Sequence, residues 1–228
     1  YFSNFEKQSN FIVMIQSETN KDISTIKEMM EKATKFSSIS GISITISGII
    51  ALIGAAFIYF DLGISIENGE FVSYSQLIND KGSQEDLKLK MTLLVMIGTV
   101  ILLISLFVMF LFSRIKAKNE GVVLFNPTFG RALRSLFVPL FAGGIFSMFL
   151  MHHEVVGLVA PVTLIFYGLG LISASKHTYS ELEILGYLEL VLGIIASYFM
   201  GAGLFFWILG FGVSHILFGF YIYRTYDR

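Results

Sequence analysis

The sequence contains no cysteine, three prolines, one tryptophan and only 14% charged residues over its 228 positions. Without cysteine there can be no disulfide, thiolate nucleophile, Cys-ligated metal or palmitoyl anchor. The shortage of charge excludes more, because a soluble domain carries about 25% charged residues and interrupts its apolar runs every few positions. A formal net charge of −1 with no long Lys/Arg block gives no footprint for nucleic acid and no dedicated anionic-lipid site. The HExxH, P-loop and GxSxG signatures are missing too, so no enzyme is expected, and an enzyme acting on lipid would have no motif behind it.

What is present is apolar: 54% of the residues are hydrophobic and 23 are phenylalanine. The runs reach the roughly 20 residues needed to cross about 30 Å of hydrocarbon. They are apolar on every side, unlike the alternating strands of a membrane barrel. The expected class is an all-α polytopic membrane protein, with residues 1–36 as an N-terminal segment and 37–228 as a transmembrane bundle. The first long run begins near Phe36 and is too long for a signal-peptide core, so no cleaved signal is expected. Met14 could be a native initiator in a chain that opens on Tyr1.

Taken in order, Ile23, Ile26, Met29, Met30, Ala33 and Phe36 recur at helical spacing among charged neighbours. That pattern predicts an amphipathic helix in the membrane interface. Six spans follow, at about 37–60, 91–113, 135–151, 155–175, 183–202 and 204–223. In the first, Ser43, Ser47, Ala51 and Ala55 form a small-residue stripe that permits close helix packing. Between spans one and two, Ile64 to Ser73 reads as a β-hairpin, since Asn68-Gly69 suits a type I′ turn. Pro139 and Pro161 are expected to kink spans three and four.

Lys and Arg set the orientation. They precede span one, fill the links between spans two and three and between four and five, and follow span six. The link between spans three and four and the Gly201-Ala202-Gly203 turn have none. Both termini are therefore expected in the cytoplasm, and the bilayer is the first partner.

The last two spans carry the expected site. Glu189 lies between Gly186 and Gly193, and His215 between Gly212 and Gly219, each at offsets of three and four residues. Such spacing puts each ionisable residue on a helical face with glycines that admit another backbone. At 1.5 Å per residue, Glu189 lies roughly 8–9 Å and His215 roughly 12 Å from the cytoplasmic face, within about one helical turn of each other. With Tyr187 and Ser214 nearby in sequence, the pair could trade a proton near neutral pH, clamp a polar ligand or simply fix helix register. Glu189 could also extend to the cytoplasmic surface. His152-His153-Glu154 is a weaker candidate, for a divalent metal, because adjacent helical residues diverge by about 100° and further ligands would be needed. Haem is disfavoured, since only His215 is deep and bis-histidine ligation needs two imidazoles at one depth. No cofactor is expected.

Lys176-His177-Thr178-Tyr179, Gly186-Tyr187-Leu188-Glu189, Trp207-Ile208-Leu209-Gly210-Phe211-Gly212 and Ser214-His215 resemble a group of small six-helix inner-membrane proteins of Bacteroidota. The resemblance is clearest over residues 160–228. It implies a fold and an inner-membrane location, but no activity. Two functions fit the residues: a subunit, sensor or regulatory partner, as a homo-oligomer or with another membrane protein, or a proton-linked small-solute transporter using Glu189 and His215.

Overall fold

The computed structural model describes residues 23, 39–62, 66–67, 70–71, 84–121, 123–153 and 155–227. Its helices are α1 (Gly41–Leu62), α2 (Gln84–Asn119), α3 (Pro127–His152), α4 (Val159–Ser175, extended by a 3₁₀ turn at Val156–Leu158), α5 (Leu182–Tyr198) and α6 (Gly203–Tyr226). Among the described residues, all but α5 are long and apolar enough to cross a membrane. With 17 residues, α5 is about 25 Å long, which accounts for the difference from the six spans expected. The amphipathic helix expected before the first span lies outside the described residues, apart from Ile23. In the loop after α1, β1 (Ile66–Glu67) and β2 (Glu70–Phe71) pair antiparallel, with Ile66 opposite Phe71. The intervening Asn68-Gly69 and the rest of that loop lie outside the described residues.

Local chemistry sets the helix limits. Asn126 caps α3 by accepting the Phe129 N–H at 2.7 Å, and Pro127 follows at a position where a missing N–H costs nothing. Pro139 sits inside α3, and the helix continues past it to His152.

Helices α3, α4 and α5 pack in succession, α4 and α5 most extensively, and α6 lies against α4, α5 and α1. Helix α1 is thereby sandwiched between α6 and α2. Glycines set these close approaches. Gly168 and Gly186 put the α4 and α5 backbones in contact, while Gly41 and Gly219 do the same for α1 and α6. The stripe of Ser43, Ser47, Ala51 and Ala55 is buried, at 0, 7, 3 and 1% exposure. Its close packing is realised within the chain, leaving it no surface for a second copy. Helix α2 behaves differently. None of its most apolar 18-residue window is fully buried: Leu94 and Ile97 pack on α1, whereas Leu103 and Phe107 face outward.

The helix ends that carry the basic residues meet at one end of the bundle. There Lys116 of α2 donates to Asp227 Oδ1 (2.6 Å), to the Tyr179 hydroxyl (2.9 Å) and to the Ile39 carbonyl (3.3 Å). Asp227 Oδ2 accepts from Ser40 Oγ (3.0 Å) and from the Gly41 backbone N–H (2.7 Å). The carboxylate thus caps the N-terminus of α1, where the helix dipole favours negative charge. Burial pushes the Tyr179 phenol up from its ordinary pKa, and the Lys116 ammonium opposes that rise. The Tyr226 ring packs on Tyr179, 4.4 Å between centroids, and its hydroxyl donates to Glu181. This clasp joins α1, α2, the α4–α5 link and the end of α6.

Candidate intramembrane site

Glu189 projects from α5 into the junction of α4, α5 and α6 and is 0% exposed. His215 comes from α6, and its Nδ1 lies 3.4 Å from Glu189 Oε1. The two residues expected to meet do meet. The glycines that flank them serve other contacts. Gly186 and Gly193 receive α4 at Ile172, Ile165 and the Pro161 carbonyl, whereas Gly212 and Gly219 receive α1 at Leu52 and Thr45. Each ionisable residue is therefore held at depth by a helix–helix seam.

The reason His215 can turn toward α5 is a change of helix type. Residues Ile208–Ser214 of α6 form a π-helix, a wider winding that is rare and frequent at functional sites. Backbone carbonyls in it accept side-chain bonds five residues on: Leu209 from Ser214 Oγ at 2.8 Å and Gly210 from His215 Nδ1 at 3.0 Å. A carbonyl can only accept, so the proton of the neutral imidazole is assigned to Nδ1 and Nε2 is left as an acceptor. Nε2 takes the Tyr167 hydroxyl of α4 at 2.8 Å. Tyr167 and Phe211 stack on the imidazole with centroids 5.4 and 5.9 Å away. Trp207 continues the column, 5.0 Å from Phe211.

Glu189 is served differently. Among the described residues, the buried side-chain atoms without a hydrogen-bond partner are Ser147 Oγ and both oxygens of Glu189. Packing closes the carboxyl in. Leu164 is 0% exposed, and a methyl group added to Gly210 would collide with both Leu164 and Glu189 Oε2. Since Nδ1, the nitrogen facing Glu189, already carries its proton, a second proton on His215 would sit on Nε2, beside Tyr167. Tyr167 donates to a neutral imidazole and can accept from an imidazolium, so its hydrogen bond survives the change.

Two of the residues expected at this centre are elsewhere. Tyr187 is 50% exposed and donates to Glu183 at 3.0 Å. Two positions from Glu189 on a helix, it points about 200° away from it. Ser214 adjoins His215 in sequence, but its hydroxyl is committed to Leu209. Tyr167 and Gly210 take their places. The only trace of Tyr167 in the sequence is a phenol in an otherwise apolar span, since a buried tyrosine hydroxyl needs a partner. At the other end of the bundle, His152 and His153 are exposed and their rings meet edge to face at 5.2 Å. Glu154 lies outside the described residues. Among the described residues, no three His, Asp or Glu side chains converge as a metal site would require.

Fold and site together define the class: an all-α, multi-pass membrane protein with a Glu–His pair buried between its helices. Compared with protein-family models, with curated proteins and with solved structures, the chain matches none.

Proposed function

We propose that the chain is a non-enzymatic, proton-responsive membrane protein, a sensor or regulatory subunit of another membrane component, with Glu189 and His215 as its sensing pair. One observation carries this reading: a wholly buried carboxyl with neither oxygen hydrogen-bonded, 3.4 Å from an imidazole nitrogen. Leu164 and Glu189 leave no room even for a methyl group at Gly210, whereas a proton needs no space. Ionisable groups placed within a membrane are costly and commonly mark proton pathways or sensors. In this reading α5 is the sixth span, at the short end of the 17–25 residue range. The distribution of Lys and Arg supports cytoplasmic termini, and the resemblance noted above supports an inner membrane.

Trp207, the sole tryptophan, reports on the pair through Phe211. A pH titration of its fluorescence in nanodiscs should show one transition, lost in Glu189→Gln. An identical transition in that variant overturns the reading. The π-helix that divides α6 favours a second reading, proton-linked transport. Proton flux into liposomes that disappears in Glu189→Gln would select transport over sensing.

A further inference from the structure

Two side chains at the end of the π-helix reach back five residues. Ser214 Oγ donates to the Leu209 carbonyl at 2.8 Å, and His215 Nδ1 donates to the Gly210 carbonyl at 3.0 Å. Elsewhere in the described helices Thr45, Ser47, Ser197 and Thr225 bond carbonyls four residues back, as hydroxyls on an α-helix ordinarily do. The wider winding of Ile208–Ser214 is thus fastened by two side-chain bonds, one from a hydroxyl and one from the imidazole beside Glu189. The His215 proton lies between two acceptors, the Gly210 carbonyl at 3.0 Å from Nδ1 and Glu189 Oε1 at 3.4 Å.

We propose that the π-helix is the element this pair switches, with Ser214 as its positioning residue: loss of the Glu189 proton draws Nδ1–H of His215 from Gly210 to Glu189, and Ile208–Ser214 rewinds toward α-helix. Beside a neutral carboxyl the nearer backbone carbonyl keeps the proton. A carboxylate accepts a charge-assisted bond, roughly twice as strong and about 2.7–2.9 Å long. From 3.4 Å, the ring has about 0.5–0.7 Å to travel. Nε2 keeps the Tyr167 hydroxyl, so the imidazole stays neutral. The Gly210 carbonyl is then open to the backbone N–H of Ser214, four residues on, which is the α-helical bond. Ser214 favours the other state, because its five-residue reach to Leu209 belongs to the wider winding. Beyond the π-helix α6 is fixed, with Gly219 against Thr45 and the Gly41 carbonyl and with Asp227 held by Lys116. The half before it carries Trp207, packed on Phe211, so rewinding reaches the indole. Among the described residues, the titratable groups facing Glu189 are His215 from α6 and Tyr167 from α4. Glu183 and Tyr187 bond each other on the outer face of α5, and Tyr221 of α6 lies nearer the helix end, beside Ile184. The inference rests on the proton reading of Glu189 and names what that proton moves.

The test is the Trp207 titration of the full chain in nanodiscs, repeated in Ser214→Ala and Ser214→Thr. Removing a bond made only in the π winding favours the rewound state, and by linkage that state favours the deprotonated Glu189. The midpoint in Ser214→Ala should therefore fall, by about 0.4–1 pH unit for one hydrogen bond. Threonine keeps the hydroxyl and should restore the wild-type midpoint. An unchanged or raised midpoint in Ser214→Ala, or an equal shift in both variants, overturns the switch while leaving the proton reading intact. Solid-state NMR of isotope-labelled histidine rings in the wild-type chain decides the matter without any change at Ser214, the His215 signals being identified by their loss in His215→Gln. They should show the proton on Nδ1 and a bare Nε2 on both sides of the transition, with the Nδ1 signal moving at its midpoint and still in Glu189→Gln. A proton on Nε2, or an Nδ1 signal that does not move, overturns the switch. A Trp207 transition that survives Glu189→Gln overturns the proton reading itself.

Discussion

Two carboxylates among the described residues, the buried Glu189 and Asp227 with its side chain 8% exposed, are treated in opposite ways. Asp227 is saturated: Lys116 pairs with one oxygen, and Ser40 and the Gly41 N–H bond the other. Glu189 is more deeply buried and has an imidazole at 3.4 Å, yet neither oxygen accepts a hydrogen bond. A charge held by several donors is fixed, because every change of protonation breaks a network. One without donors has no such network to break when its protonation changes. The contrast separates a structural clasp at the basic end of the bundle from a responsive centre within it.

Unfolding and titration experiments can break that contrast, the clasp giving the largest effects. Asp227→Ala uncaps α1 and leaves the Lys116 ammonium only Tyr179, the Ile39 carbonyl and Glu120 at 3.9 Å; breaking a buried pair costs at most about 3–5 kcal/mol, and less where such partners remain. Denaturant unfolding in mixed micelles should show that loss. Adding Lys116→Met should recover much of it, since removing both members of a buried pair can be nearly neutral. A double variant as unstable as the single one would remove the clasp from the account.

Next comes Gly210→Ala, whose methyl collides with Leu164 and Glu189 Oε2. Overpacking of this kind costs about 1–3 kcal/mol, and the same substitution should shift the Trp207 titration. Glu189→Gln keeps the shape and gives up no hydrogen bond, so its stability should stay within about 1 kcal/mol of the wild type, in line with the small worth of most polar contacts between membrane helices. It should nonetheless abolish the titration. A loss as large as that of Asp227→Ala would make Glu189 structural and erase the contrast. The smallest effect on the titration is expected of Tyr167→Phe, which deletes one hydrogen bond to His215 and should cost about 0.5–1.5 kcal/mol in stability. Because the phenol serves both protonation states, its loss should weaken the Trp207 transition without removing it.

Pairing of Glu189 with His215 was legible before any coordinates, because glycine spacing and depth along a helix follow from the sequence at 1.5 Å per residue. The clasp was not. Lys116 and Asp227 are 111 residues apart, and each reads locally as an ordinary charged residue at the end of a span. Tyr187 was misplaced for the opposite reason, since nearness in sequence stood in for nearness in space. The α-helical period cannot anticipate Ile208–Ser214 either, because a π-helix changes the period itself.

By itself the sequence determined the solvent: long apolar runs and scarce charge suit the chain to a bilayer, and the positions of Lys and Arg imply how it would lie there. It also determined which two ionisable residues would sit deep in neighbouring helices. Tertiary structure decided who their partners are. Hydrogen bonds from Tyr167, the carbonyl of Gly210 and the wall formed by Leu164 come from segments brought together only by helix packing, and a side chain's partners depend on that packing rather than on its own stretch of chain.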